Sequence, residues 1–118
     1  MKRVALFLTL ATGLTASGGA LANFENGTDL YEQCTTKESE EVYYQQNASC
    51  LAYIAGVADT MSCKQAVFGY TWSPDGNVTK GQLAKVVLKW LDDNPKYLSY
   101  NAASLVASAL DEAFPCPK

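Results

Sequence analysis

The chain has 118 residues, with nine Lys plus Arg, twelve Asp plus Glu and no histidine, for a formal net charge of −3. That length allows one domain with a modest core, and the missing histidine removes the commonest general base and the commonest metal ligand together. A mildly acidic chain poor in arginine, whose guanidinium forks bind phosphate, argues against nucleic acid as a partner.

Met1, Lys2 and Arg3 form a positive start, Val4 to Leu10 are almost wholly apolar, and Ala20-Leu21-Ala22 offers a small-x-small cleavage site. This is the pattern of a bacterial secretory signal peptide over 1–22. Thr9, Thr12, Gly13, Thr15 and Ser17 interrupt the apolar stretch, which falls short of the roughly 20 apolar residues of a membrane span. The expectation is export, with no membrane attachment after cleavage and one domain over 23–118. Losing Lys2 and Arg3 leaves that domain without arginine and takes its charge to −5. Cys34, Cys50, Cys63 and Cys116 all lie in it, and an even number of cysteines in an exported chain implies two disulfides. No Cys-x-x-Cys pair accompanies them, so neither a metal nor another cofactor is expected. Sequons begin at Asn26, Asn47 and Asn77, and are read as coincidence in a bacterial chain.

The patterning beyond residue 22 is helical almost throughout, predicting an all-α bundle of about four helices tied by disulfides. A short first helix is expected over 29–33, capped by Thr28 or Asn26. Thr35-Thr36-Lys37-Glu38 has the spacing of a capping box and marks the start of a long second helix, with Glu38, Glu40 and Glu41 in its first turn. Leu51, Ile54, Ala55, Ala58 and Met61 line one stripe of that helix, and Ala52 and Gly56 leave a low patch for another helix. Its end is expected near Ala66. Thr79-Lys80-Gly81-Gln82 is a second capping box, opening a third helix with a stripe of Leu83, Val86, Val87, Trp90 and Leu91. Asn94-Pro95 ends it. Ser99 or Asn101 caps a fourth, whose stripe runs Ala102, Leu105, Val106, Ala109, Leu110, Ala113 and Phe114, stopped by Pro115.

On this layout Cys50 and Cys63 share one helix about 20 Å apart, beyond disulfide reach. Two pairings remain, and antiparallel helices favour Cys34 with Cys50 and Cys63 with Cys116. No catalytic constellation is visible: there is no nucleophile elbow, phosphate loop or metal motif. The acids Glu38, Glu40, Glu41, Asp92 and Asp93 read as solvated surface, and Asp59 as a helix-face acid. No catalytic residue is assigned and an enzyme is not expected. The loop over 67–78 is the better candidate, with Ser73-Pro74-Asp75-Gly76 as its turn. Phe68, Tyr70, Trp72, Pro74 and Asp75 are the candidate partner-binding residues. For Trp72, closing the end of the core is an equal alternative, while Tyr70, Pro74 and Asp75 belong at the exposed tip.

The segments Asp29-Leu30-Tyr31-Glu32-Gln33-Cys34, Cys50-Leu51-Ala52-Tyr53-Ile54-Ala55-Gly56-Val57-Ala58-Asp59, Val78-Thr79-Lys80-Gly81-Gln82-Leu83 and Ala113-Phe114-Pro115-Cys116, in that order, resemble the Rap and Tai group of type VI secretion immunity proteins. The resemblance covers nearly all of 23–118. It implies a periplasmic helical protein, often a homodimer, that binds a cell-wall amidase effector through a loop entering the effector's cleft. By that analogy 67–78 is the inhibitory element. One departure stands out: the family usually has a cysteine just before the segment matching Val78-Thr79, where this chain has Trp72 and Ser73. A small acid-stress chaperone, or an envelope-binding domain of the same fold, is the alternative function.

Overall fold

The first helix, α1 (Gly27–Thr35), begins at a reciprocal cap. The Asn26 side chain accepts from the Asp29 backbone at 2.9 Å and the Asp29 carboxylate accepts from the Asn26 backbone at 3.1 Å, which satisfies two of the amides that a helix start leaves unpaired. Asn26 rather than Thr28 is therefore the cap. The computed structural model describes residues 24–74 and 76–118; the expected signal peptide at 1–22 and the candidate residue Asp75 lie outside the described residues.

Thr35 and Thr36 mark an end, correcting the expectation of a helix start there. Their hydroxyls donate to the Tyr31 and Glu32 carbonyls at 2.7 and 2.8 Å, meeting acceptors that the last turn of α1 leaves open. Glu38, Glu40 and Glu41 consequently lie in the turn between helices, where the Glu40 carboxylate accepts from the Lys37 backbone at 3.2 Å. Helix α2 (Tyr43–Asp59) starts without any side-chain cap. It also stops earlier than the apolar pattern implies, where an indole meets its end: the Trp72 Nε1–H donates to the Ala58 carbonyl in the last turn and to the carbonyl of Met61, two residues beyond the helix, both at 3.1 Å. Cys63 thus lies beyond α2 instead of within it.

Helix α3 (Lys80–Asp93) has the expected box, with Thr79 accepting from the Gln82 backbone at 3.2 Å and Gln82 accepting from the Thr79 backbone at 2.8 Å. Pro95 opens a single 3-10 turn over Pro95–Tyr97, and α4 (Ala102–Ala113) follows, capped by Asn101 rather than Ser99. Leu30, Ile54, Val87, Leu91, Val106 and Leu110 are fully buried where the four helices meet. Burying side chains of this size contributes about 1.5–3 kcal/mol each before the entropy of ordering the chain is set against it. The core is apolar throughout, and no helix among the described residues is long and apolar enough to cross a membrane.

Two glycines meet opposite surroundings. Gly27 enters α1 against the connector before α4, donating its backbone N–H to the Tyr100 carbonyl at 3.0 Å. A Cβ there would lie 2.5 Å from Leu105 Cδ1, 2.8 Å from the Leu98 carbonyl oxygen and 2.9 Å from Leu98 Cα. Only glycine lets the two segments approach so closely. Gly56, expected to receive another helix, has nothing within 4 Å of an added Cβ, and Ala52 beside it is exposed. That strip of α2 faces away from the bundle.

Two disulfides close the fold, Cys34–Cys50 and Cys63–Cys116. The first joins the last turn of α1 to the middle of α2, and Cys50 is 2 % exposed. The second ties the segment after α2 to the tail beyond α4. All four thiols are consumed, so the described cysteines offer no thiolate to a metal.

Candidate functional site

Beyond α2 the chain makes two tight turns in succession. Ser62 and Gln65 exchange backbone hydrogen bonds of 2.9 and 3.2 Å, and Val67 and Tyr70 exchange two of 2.9 Å. The second turn forms the tip of a small hairpin: Phe68 has φ +52° and Gly69 φ +82°, the left-handed pair that matches the twist of a two-residue hairpin. Glycine adopts such a φ freely. Phenylalanine does so at a cost of about 1–2 kcal/mol, so something outweighs the strain, and Phe68 nevertheless stands 52 % exposed.

The base of the hairpin is held from three directions. The Asp111 carboxylate on α4 accepts from the Thr71 backbone N–H at 2.9 Å, a charged acceptor and hence a stronger bond than a neutral one. Trp72 inserts its indole beneath α2 as described and meets Phe114 edge-on, with ring centroids 5.7 Å apart. The Ser73 backbone N–H donates to the Phe114 carbonyl at 2.8 Å. The Cys63–Cys116 bridge fastens the ascending side to the same tail. A hairpin pinned on both sides presents its tip with little freedom left to lose on contact.

These placements sort the residues expected to meet a partner. Phe68 is at the tip, and Tyr70, 37 % exposed, flanks it. Trp72 is 6 % exposed and is a core residue that closes the end of the bundle; its two hydrogen bonds leave it no polar atom to offer. Ser73 lies at the hairpin base, so the outermost turn is Phe68-Gly69, while Pro74 is exposed on the segment leading away. Asp59 sits exposed at the end of α2.

Tyr70 also forms one wall of a cleft that sequence reasoning did not anticipate. Trp90, Tyr97 and Tyr100 supply the other rings, Ser104 and Ser108 line the α4 side, and the half-open space between them is about 300 Å³. Trp90 and Tyr97 stack with an interplanar angle of 19° at 6.2 Å, and Tyr97 and Tyr100 lie 5.5 Å apart. The Lys96 ammonium sits 4.9 Å above the Tyr97 ring. Trp90, assigned to the core stripe from its spacing, is only half-buried; its indole N–H donates to the Glu112 carboxylate at 2.8 Å. A signal for this cleft was present in the connector over 95–101, which carries two tyrosines where short connections are ordinarily polar. A hollow of about 650 Å³ between α1 and the start of α2 is larger. It is wide open, and its acids already serve the fold: Asp29 in the α1 cap, Glu40 on Lys37, Glu25 on Gln33.

Among the described residues, the hairpin and the cleft place exposed and half-buried aromatic rings side by side on a disulfide-tied helical domain, the residue types that anchor protein contacts. The Rap1a immunity protein family matches residues 26–116, which include all four helices, both disulfides and the hairpin. The chain belongs to that family, as the resemblance of its sequence segments implies. No curated protein matches it.

Proposed function

We propose that the chain is the immunity partner of a type VI secretion effector, that the effector is a peptidoglycan amidase, and that the inhibitory element is the hairpin over 62–73 with Phe68 at its tip. The observation that carries this reading is the left-handed, half-exposed Phe68 on a clamped base. Strain kept at an exposed position, where asparagine or glycine would relieve it, is the mark of a residue retained for contact. A rigid aromatic knob fits a concave cleft at low entropic cost, and its burial there would exclude water and substrate together. Family membership supports an immunity role, and two disulfides fit an oxidising compartment. The periplasm is such a compartment, and it is where a cell-wall amidase has to be stopped.

The test is Phe68→Asn. Asparagine tolerates the left-handed conformation and precedes Gly69 in the preferred two-residue turn, so the variant should be more stable by about 1 kcal/mol. At the same time its affinity for an amidase recovered with the wild type from periplasmic extract should fall at least tenfold, as for a central aromatic contact of about 2 kcal/mol or more. Unchanged inhibition by this variant would refute the hairpin's role, and a wild-type chain that recovers no amidase would refute the choice of effector.

A further inference from the structure

The cleft beside the hairpin has a composition that selects its occupant. Four rings, Tyr70, Trp90, Tyr97 and Tyr100, surround a space of about 300 Å³, enough for the head and stem of one long side chain. Aromatic faces carry negative quadrupole potential and draw cations, most strongly over tryptophan and in proportion to desolvation. One contact raises that potential here. The Trp90 indole N–H is bound by the Glu112 carboxylate, which pushes electron density into the ring. The chain's own Lys96 ammonium sits 4.9 Å over the Tyr97 ring, so one of the four rings already makes a cation–π contact within this protein. The wider field has the same sign, since the chain has twelve acids against nine bases, and near the end of α4 Glu112 is bonded to the cleft residue Trp90 and Asp111 to Thr71, next to Tyr70.

We propose that this cleft is a second contact site for the partner and that its occupant is a cationic side chain, arginine or lysine, projecting from the effector next to the region engaged by the hairpin. Tyr70 belongs to both features and links them into one surface. The assignment to an effector rests on the immunity reading, whereas the capacity of the cleft for a guanidinium or ammonium group does not. The acidic chain would thus recognise a basic surface on its partner, with electrostatic attraction aiding encounter and the rings setting the docking point.

The free protein supports a test that needs no effector. N-acetyl-arginine amide is titrated while the indole N–H resonances of the two tryptophans are followed by NMR, with N-acetyl-citrulline amide as the uncharged isostere. The Trp90 resonance should shift saturably with the arginine probe and not with citrulline, and the Trp72 resonance should stay fixed as an internal control. Tyr100→Phe keeps the ring face and should retain the response, whereas Tyr100→Leu, similar in bulk, should weaken it about tenfold. Equal responses to both probes, an unsaturable shift, or a Leu variant matching wild type would overturn the cation site. Should the probe behave as expected while Tyr100→Leu still binds a verified effector at wild-type strength, the effector assignment of the cleft is overturned and the hairpin reading stands.

Discussion

Replacing Gly27 and Gly56 separately with alanine gives the fold a demanding test, because the structure assigns opposite signs to the same added methyl group. At Gly27 the Cβ would fall 2.8 Å from the Leu98 carbonyl oxygen and 2.9 Å from Leu98 Cα. Both are backbone atoms and cannot rotate away as the Leu105 side chain can. Relief requires α1 to lift from the connector, stretching the Gly27-to-Tyr100 and Thr28-to-Leu98 hydrogen bonds, each 3.0 Å. The overpacking cost is about 1–3 kcal/mol, and for a domain of this size each kcal/mol moves the melting temperature by about 4–8 °C. At Gly56, inside α2 with open space around it, alanine should add about 0.5–1 kcal/mol of stability through backbone entropy and helix propensity. Thermal melts followed by helical circular dichroism under oxidising conditions decide the matter. A Gly27→Ala protein that melts with the wild type, or a Gly56→Ala protein that melts below it, would refute the packing described.

Removing the Cys63–Cys116 bridge, which spans 53 residues against 16 for Cys34–Cys50, with paired alanines should cost about 4 kcal/mol in the chain-entropy model; denaturant unfolding measures it, and loss of inhibition in the surviving folded fraction would mark the hairpin as its beneficiary. Trp72→Phe retains most of the packing but leaves the Ala58 and Met61 carbonyls without their indole donor, so stability should fall by about 1–3 kcal/mol, again by denaturant unfolding. Tyr31 donates to Asp92 at 2.8 Å, and the hydrogen bond and the nearby negative charge hold its hydroxyl above the ordinary 10.0. Since the neutral form is the one favoured by folding, this contribution is complete below pH 10.0 and disappears as pH rises through the higher folded value; NMR titration of Tyr31 should show the late ionisation, and Asp92→Asn should bring it back toward 10.0.

Three of the four helices could be located from capping chemistry and periodicity, because Asn26, Thr79 and Asn101 carry the bonding groups that start a helix. The boundary of α2 could not. A threonine followed three residues later by glutamate has one spacing but two uses, and here Thr35 and Thr36 close the preceding helix. The far end of α2 was equally opaque, since Trp72 meets it by reaching back to Ala58, a contact that no local pattern encodes. The disulfide pairing emerged correctly from the favoured topology although Cys63 lies off the helix on which it was first placed. In the candidate segment, composition drew attention to the turn at Pro74 and Gly76, whereas the left-handed turn at Phe68 and Gly69 carried no comparable signal. Asp111, which fixes the hairpin from 40 residues away, had no sequence signature at all.

The way the hairpin is anchored has a consequence for its evolution. Its fastenings are the Thr71 and Ser73 backbone amides, the Trp72 indole and the Cys63 sulfur, all located in the stem. None involves the side chains of Lys64, Gln65, Phe68 or Tyr70 among these bonds. The outer residues can therefore be exchanged with little penalty to the bundle, much as a tool bit is changed without altering the handle. On the proposed reading, a lineage facing a modified effector would retune recognition by substitutions at the tip while its structural core stays untouched.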